Sequence, residues 1–136
     1  MNFRHLTVLF ALLPAPAALA AGDAASGESN FKKCKACHMI MADDGSVIVK
    51  GGKTGPNLYG VVGRAIGSTD YSYSDSLRSV GDAGLVWDEA ELVAYITDPK
   101  AWLKEKTGDA AAKTKMAFKL NKGQEDMAAY LASLNP

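Results

Sequence analysis

A five-residue segment, CKACH at 34–38, constrains this chain more than any other. Two cysteines three positions apart, with a histidine directly after the second, form the sequence pattern of c-type haem attachment. Each thiol adds across one vinyl group of a porphyrin, so both sulfurs must reach the edge of one rigid plane. A two-residue spacer on a helical turn allows this and places His38 where it can bind the iron. Cys34 and Cys37 are the only cysteines, and His5 is the only other histidine.

Three other uses of a cysteine pair compete with haem attachment. An exported chain can hold a disulfide, but a bond across two intervening residues closes a very small loop and constrains the unfolded chain little. A structural zinc site takes four ligands, whereas this segment offers two sulfurs and one imidazole. A thioredoxin-like redox motif belongs in a βαβ context, which the sequence does not indicate. All three are weaker interpretations than haem attachment.

The N-terminus predicts a cleaved secretory signal peptide. Arg4 supplies a basic start, residues 6–13 form an apolar run, and the ALA sequence at 18–20 fits a small-residue cleavage site. The run is far shorter than the roughly 20 residues that span a bilayer, which disfavours the alternative of a retained anchor. We therefore expect residues 1–20 to be removed and 21–136 to form a single domain.

The charge of the chain is balanced in total but segregated along the sequence. Its 15 basic and 15 acidic residues cancel, which argues against bulk electrostatic binding to nucleic acid. Residues 32–53 carry five lysines against two acids, 70–98 carry seven acids against Arg78 alone, and 100–122 carry seven lysines against two acids. Such a distribution gives the molecule a dipole that would steer an acidic partner toward the lysines.

The hydrophobic pattern predicts an all-α arrangement of helices joined by long loops. Four segments carry capping or periodicity signals: 23–35, the segment from Trp87 to Asp98, a helix that begins at Asp98–Pro99, and 123–134. Residues 39–55 are expected to form a loop with a short hairpin, and 108–113 a helical turn.

Irregular backbone makes up an unusual share of this sequence. Residues 55–67 contain four glycines, which disfavours regular structure and lets a chain run close against a flat ligand. So much loop in a compact chain is uncommon, and it is explained if a large apolar prosthetic group fills the middle. We therefore expect the chain without that group to be largely unfolded.

A second axial ligand is needed if the haem carries electrons, and methionine opposite histidine raises the reduction potential. Met39 and Met41 lie too near His38 to reach the other haem face. Met127 falls on the apolar face of the last predicted helix, where packing is its expected role. Met116 lies in a non-periodic segment 78 residues after His38. It is the candidate ligand because a soft thioether suits haem iron.

Together these motifs resemble those of class I c-type cytochromes, most closely the bacterial cytochrome c2 and c-550 group. Besides the CKACH segment, the resemblance rests on Gly27-x-x-x-Phe31, GPNL at 55–58, Gly63-Arg64, Trp87, Asp98-Pro99-Lys100, KMAF at 115–118 and AYL at 129–131. It covers the whole chain after the signal peptide. It implies the cytochrome c fold, with three main helices, short helices and long loops wrapped around one covalently bound haem c.

The resemblance also implies roles for residues around that haem. Cys34 and Cys37 would attach it, His38 and Met116 would bind its iron, and the Pro56 carbonyl would accept a hydrogen bond from His38 Nδ1–H. Further residues are implied at its edges: Arg64, Tyr73, Ser74 and Trp87 around a propionate, and Tyr95 near the Met116 sulfur. Gly27 and Phe31 would pack across Tyr130.

Some residues depart from the short mitochondrial form of the fold. Extra residues occur within 39–52, before Trp87, and between Lys100 and Thr114, as in the longer bacterial forms. Leu77 stands where the mitochondrial form has a haem-facing asparagine, so the resemblance does not extend to the water network there.

The function implied is that of a soluble, monomeric one-electron carrier in the periplasm, without nucleic-acid binding or stable membrane insertion. Its donor would be a cytochrome bc1-type quinol–cytochrome c reductase, and its acceptor a photosynthetic reaction centre, a terminal oxidase or a nitrogen-oxide reductase. Docking would use the lysines that flank the attachment site or Met116 in sequence: Lys32, Lys33, Lys35, Lys100, Lys115, Lys119 and Lys122.

Two other functions were weighed against electron transfer. A haem peroxidase needs an open iron position and distal acid–base residues. A Met116-ligated chain does not supply them, because its only other histidine, His5, lies in the predicted signal peptide. A permanently bound subunit of a larger complex is disfavoured by the expected removal of the N-terminal segment.

Overall fold

A computed structural model describes residues 22–136, and the predicted signal peptide lies outside them. The elements within this range are five α-helices, α1 (Ala24–Asn30), α2 (Asp75–Asp82), α3 (Glu89–Thr97), α4 (Pro99–Thr107) and α5 (Gln124–Ala132), and one two-stranded antiparallel hairpin, β1 (Ile40–Met41) with β2 (Val47–Val49). The expected all-α architecture with a short hairpin is confirmed. No helix of the described range is long and apolar enough to cross a bilayer.

Three helices begin at an aspartate whose side chain accepts a hydrogen bond from the first turn. Asp23 caps α1 through the Ala25 N–H at 2.9 Å, and Asp88 caps α3 through the Glu91 N–H at 2.7 Å. Asp98 caps α4 through the Ala101 N–H at 3.0 Å, followed by Pro99 in the first turn. Such caps satisfy donors that have no partner within the helix. The predicted start of α4 at Asp98–Pro99 is confirmed.

The two ends of the described chain meet where α1 crosses α5. A Cβ on Gly27 would lie 2.0 Å from the Asp126 carbonyl oxygen and 2.7 Å from Tyr130 Cβ, so only glycine allows the two backbones to approach this closely. The Phe31 and Tyr130 rings pack edge to face, with centroids 5.9 Å apart. The predicted contact of Gly27 and Phe31 with Tyr130 is confirmed.

The first predicted helical segment, 23–35, is wrong in extent. The first α-helix ends at Asn30 and continues only as a 3-10 turn over Phe31–Lys33, because serine and asparagine in its last turn favour other conformations. After α4, the chain turns away at Gly108, which has a φ of +67°. Residues 109–112 then form a single hydrogen-bonded turn, as predicted for this segment, with the Ala112 N–H donating to the Asp109 carbonyl at 3.1 Å.

Helix α2 was not predicted at all. Its sequence, DSLRSVGD, contains serine and glycine and has little intrinsic helix preference. The helix forms because Ser74 caps it, accepting from the Leu77 N–H at 3.2 Å, and because Leu77 and Val80 are buried. Packing of two apolar side chains therefore outweighs local propensity here.

Candidate haem site

A cavity of about 460 Å³ lies between the helices and loops of the described chain. This volume is within the roughly 300–1,000 Å³ of small-molecule and cofactor sites. Its walls are mainly apolar, with contributions from Leu58, Val61, Leu77, Leu92 and Leu131. The ten residues that the sequence singled out all line it: Cys34, Cys37, His38, Pro56, Arg64, Tyr73, Ser74, Trp87, Tyr95 and Met116.

The attachment segment forms a continuous helical turn directly after the 3-10 turn. The Cys34 N–H donates to the Phe31 carbonyl at 2.8 Å, and the N–H groups of Cys37 and His38 both donate to the Cys34 carbonyl, at 3.1 and 3.0 Å. This turn directs both sulfurs and the imidazole to one cavity. No disulfide joins the two cysteines, so both sulfurs are available to attach a haem.

The ring of His38 is held by the two residues that open the GPNL motif. Its Nδ1 lies 2.8 Å from the Pro56 carbonyl oxygen. Because a carbonyl only accepts, Nδ1 carries the proton and Nε2 keeps a free lone pair. Burial lowers the pKa of His38, which keeps the imidazole in the neutral form that binds metals. A Cβ on Gly55 would lie 2.4 Å from the ring Cε1, so glycine is required beside the ring.

Met116 enters the cavity from a tight turn made by Thr114. The Thr114 hydroxyl accepts from the Met116 N–H at 3.0 Å and donates to the Met116 carbonyl at 3.0 Å. Burial raises the pKa of Tyr95, and a hydrogen bond with Thr114 acts in the opposite direction. Thr114 therefore lies between the backbone of Met116 and Tyr95. The sequence did not single out Thr114, although threonine hydroxyls often bond to a backbone group two residues further along the chain.

Polar groups gather at one part of the cavity wall. The Arg64 guanidinium donates to the Tyr59 carbonyl at 3.1 Å and to the Asn57 carbonyl at 3.3 Å. The Asn57 side chain in turn bonds both backbone groups of Met41, at 3.0 and 2.8 Å. Burial lowers the pKa of Arg64, yet a guanidinium stays charged in proteins. Asn57 is a second residue whose role the sequence analysis missed.

Two hydroxyls predicted at a propionate are already engaged within the fold. The Tyr73 hydroxyl lies 2.6 Å from Thr69 Oγ1, and Ser74 Oγ caps α2. A hydroxyl both donates and accepts, so Ser74 still has its proton to donate while it serves as a cap. These groups, with Arg64, are the hydrogen-bond donors that a carboxylate in the cavity would meet.

An aromatic cluster supports the wall on the side of α3 and α4. Trp87 stacks on Trp102 with centroids 5.3 Å apart, and Tyr95 contacts both rings at 5.0 and 5.3 Å. The Trp102 indole N–H donates to Glu91 at 2.8 Å, and Lys106 pairs with the same carboxylate at 2.5 Å. Trp102 lies behind the cavity wall, and the sequence analysis did not identify it because nothing local distinguishes a supporting residue from ordinary core.

The residues present suit a covalently attached haem. Two thiols lie one helical turn apart, a neutral imidazole presents a free Nε2, and a thioether lines the same space. The apolar walls match a porphyrin ring, and the arginine and hydroxyls match its carboxylates. Histidine and methionine are both axial ligands of haem iron in electron carriers.

Known proteins resemble this chain in both sequence and structure. The chain is 56% identical over 135 residues to a cytochrome c-550 of Paracoccus versutus, covering 97% of this chain and 88% of that protein. It is 57% identical over 129 residues to a cytochrome c2 of Rhodobacter capsulatus, covering 94% and 93%. The X-ray structure of ferric cytochrome c-550 from Paracoccus versutus superposes with a TM-score of 0.83 at 61% identity, covering 85% of this chain and 99% of that one. No family model matches the chain.

Fold and cavity together define a c-type cytochrome, with one covalently bound haem c as its cofactor. Within that class, the chain belongs to the cytochrome c2 and c-550 family. Members of this family are electron carriers and not enzymes, so the peroxidase alternative is set aside.

Replacing Gly55 with alanine should disturb the imidazole without touching a ligand. The new Cβ would lie within 2.8 Å of three ring atoms of His38, and overpacking of this kind costs about 1–3 kcal/mol. We expect that loss in denaturant unfolding of the haem-loaded protein, with a change in its visible spectrum. Thr54→Ala is the matched control, because the exposed side chain is removed while the backbone carbonyl that accepts from Tyr71 remains. A Gly55→Ala protein as stable as wild type would contradict the packing described.

Proposed function

We propose that this protein carries single electrons in the periplasm through a haem whose iron is bound by His38 and Met116. The observation that supports this most is that the attachment segment and Met116 line the same cavity. Bound there, the haem supplies a reversible ferric–ferrous couple. If His38 and Met116 both hold the iron, no coordination position would be left for a substrate, which suits electron transfer rather than catalysis.

The residues of the chain then have three tasks. His38 is oriented by the Pro56 carbonyl, which lies 2.8 Å from Nδ1, so its Nε2 need not reorient between oxidation states. The apolar walls exclude water and so favour a small reorganisation on electron transfer. Cys37 and Phe118 line the cavity yet are exposed, Phe118 to 44%. Partners would exchange electrons at this accessible edge.

Lysines beside that edge support docking to acidic partners. The seven lysines named from the sequence are all exposed, and Lys33 and Lys115 also line the cavity. The donor we propose is a cytochrome bc1-type quinol–cytochrome c reductase, and the acceptor a reaction centre, terminal oxidase or other reductase. Complementary charge of this kind raises the rate of encounter more than the final affinity.

Met116→Ala should remove the proposed sulfur ligand. We expect loss of the absorption band at the red end of the visible spectrum that methionine–ferric ligation produces, and a lower reduction potential, because methionine raises it. Met127→Leu is the control, since Met127 lines the same cavity, is 2% exposed, and changes little in volume. Retention of the band in Met116→Ala, or its loss in Met127→Leu, would refute ligation by Met116.

Electron transfer with a membrane reductase should depend strongly on salt. Steering of this kind changes association rates by about tenfold or more, so we expect the second-order rate to fall as ionic strength rises. Lys33→Gln should lower the rate at low salt and flatten its salt dependence. Lys50→Gln is the control, because Lys50 is exposed but does not line the cavity. A rate that is independent of salt in the wild-type protein would remove the docking proposal.

A further inference from the structure

The segment that carries Met116 is held by the buried side chains of Ala112 and Leu120 and by a small number of hydrogen bonds. Residues 108–123 connect α4 to α5 without a helix or strand. On the C-terminal side of Met116, the Leu120 N–H donates to the Ile96 carbonyl at 2.8 Å, and Lys119 pairs with Asp98 at 2.6 Å. These bonds tie that side to the junction of α3 and α4.

On the N-terminal side, the segment is held by α2 and the residues before it. The Lys113 N–H donates to Ser76 Oγ at 2.9 Å. The Lys115 amine donates to the Ser72 carbonyl and, at 3.3 Å, to Ser72 Oγ. Met116 therefore lies between two groups of hydrogen bonds. One group joins the segment to α2 and the residues before it, and the other joins it to the junction of α3 and α4.

The hydrogen bond from Lys113 to Ser76 restrains the backbone, whereas the bonds from Lys115 to Ser72 restrain mainly a side chain. Its donor is a backbone amide, so the bond restrains the path of the chain three residues before Met116. The Lys115 amine stands at the end of a flexible four-carbon stem and restrains the backbone less. Ser76 Oγ is also available for this role because the cap of α2 is made by Ser74, and Leu77 and Val80 anchor the helix in the core.

We infer that Ser76 is a positioning residue for the axial thioether, and that its bond to Lys113 sets how readily an outside ligand replaces Met116. This rests on the proposed ligation by Met116. The segment exchanges between a closed arrangement, with the sulfur at the iron, and an open one. An interaction present only in the closed arrangement lowers the open population, and the apparent affinity of a competing ligand falls by the same factor.

The test uses the haem-loaded ferric protein with imidazole as the competing ligand, followed by visible absorption. Ser76→Ala should bind imidazole about two- to tenfold more tightly, the factor expected for the loss of one hydrogen bond. The amide of Lys113 should also exchange its hydrogen faster. Ser76→Thr retains a hydroxyl and should return both measurements toward wild type.

Ser79→Ala is the matched control. It makes the same chemical change in the same helix, on an exposed serine whose hydroxyl donates to the Ser76 carbonyl at 2.8 Å and not to the Met116 segment. Its imidazole affinity should equal that of wild type. Unchanged affinity in Ser76→Ala, or an equal increase in Ser79→Ala, would overturn the inference.

Met116→Ala, measured alongside, separates this inference from the proposed function. If Met116 is the ligand, its removal should tighten imidazole binding far more than Ser76→Ala does. Should Met116→Ala bind imidazole strongly while Ser76→Ala matches wild type, the role of Ser76 alone is refuted. Should Met116→Ala bind imidazole no better than wild type, ligation by Met116 is refuted, and the inference about Ser76 falls with it.

Discussion

The interior of this protein is organised around a haem rather than around its own side chains. Leucines, aromatic residues and several residues of the glycine-rich segment 55–67 line a common cavity of about 460 Å³. Native interiors contain few voids larger than a water molecule. Apolar walls around an unfilled space lose packing contacts or face water, and a bound haem removes that cost in free energy. The porphyrin is thus a structural part of the core as well as the redox centre.

The two proposed iron ligands are held in different ways. His38 belongs to the same helical turn as both attachment cysteines, and its ring is confined by Gly55 and by the Pro56 carbonyl. Met116 lies on a long irregular segment whose position depends on a few hydrogen bonds. A disturbance of the protein should therefore release the sulfur before the imidazole. This asymmetry is a consequence of chain topology, because one ligand is local to the attachment site and the other is remote.

Much of the site could be predicted because its chemistry is encoded locally. The CKACH segment specifies two sulfurs and an imidazole within one turn, and Asp98–Pro99 specifies a helix start through side-chain capping and a fixed φ angle. The α1–α5 crossing was predictable from Gly27 and Phe31 once the resemblance was recognised. For the attachment segment and the start of α4, a few neighbouring residues contain the whole physical cause. The α1–α5 crossing instead joins residues that are distant in sequence, and only the resemblance indicated it.

Apart from Thr114, whose bonds to Met116 are local, the features that were missed depend on contacts between separate parts of the chain. Helix α2 forms through burial of Leu77 and Val80 despite a sequence with poor helix propensity. Ser76 gains its importance from Lys113, 37 positions away. Trp102 gains its importance from Trp87, which precedes α3, and from Tyr95 within α3. Serine and tryptophan are common in many environments, so local sequence alone does not distinguish these roles.

The central claim, that haem is part of the core, is tested most directly by preventing its attachment. The Cys34→Ala/Cys37→Ala protein, purified without haem, would be compared with the haem-loaded wild type by far-ultraviolet circular dichroism during heating. We expect the wild type to melt cooperatively, and the haem-free variant to show little helix and no cooperative transition. A haem-free variant with near-native helix content and a cooperative melt would contradict the account.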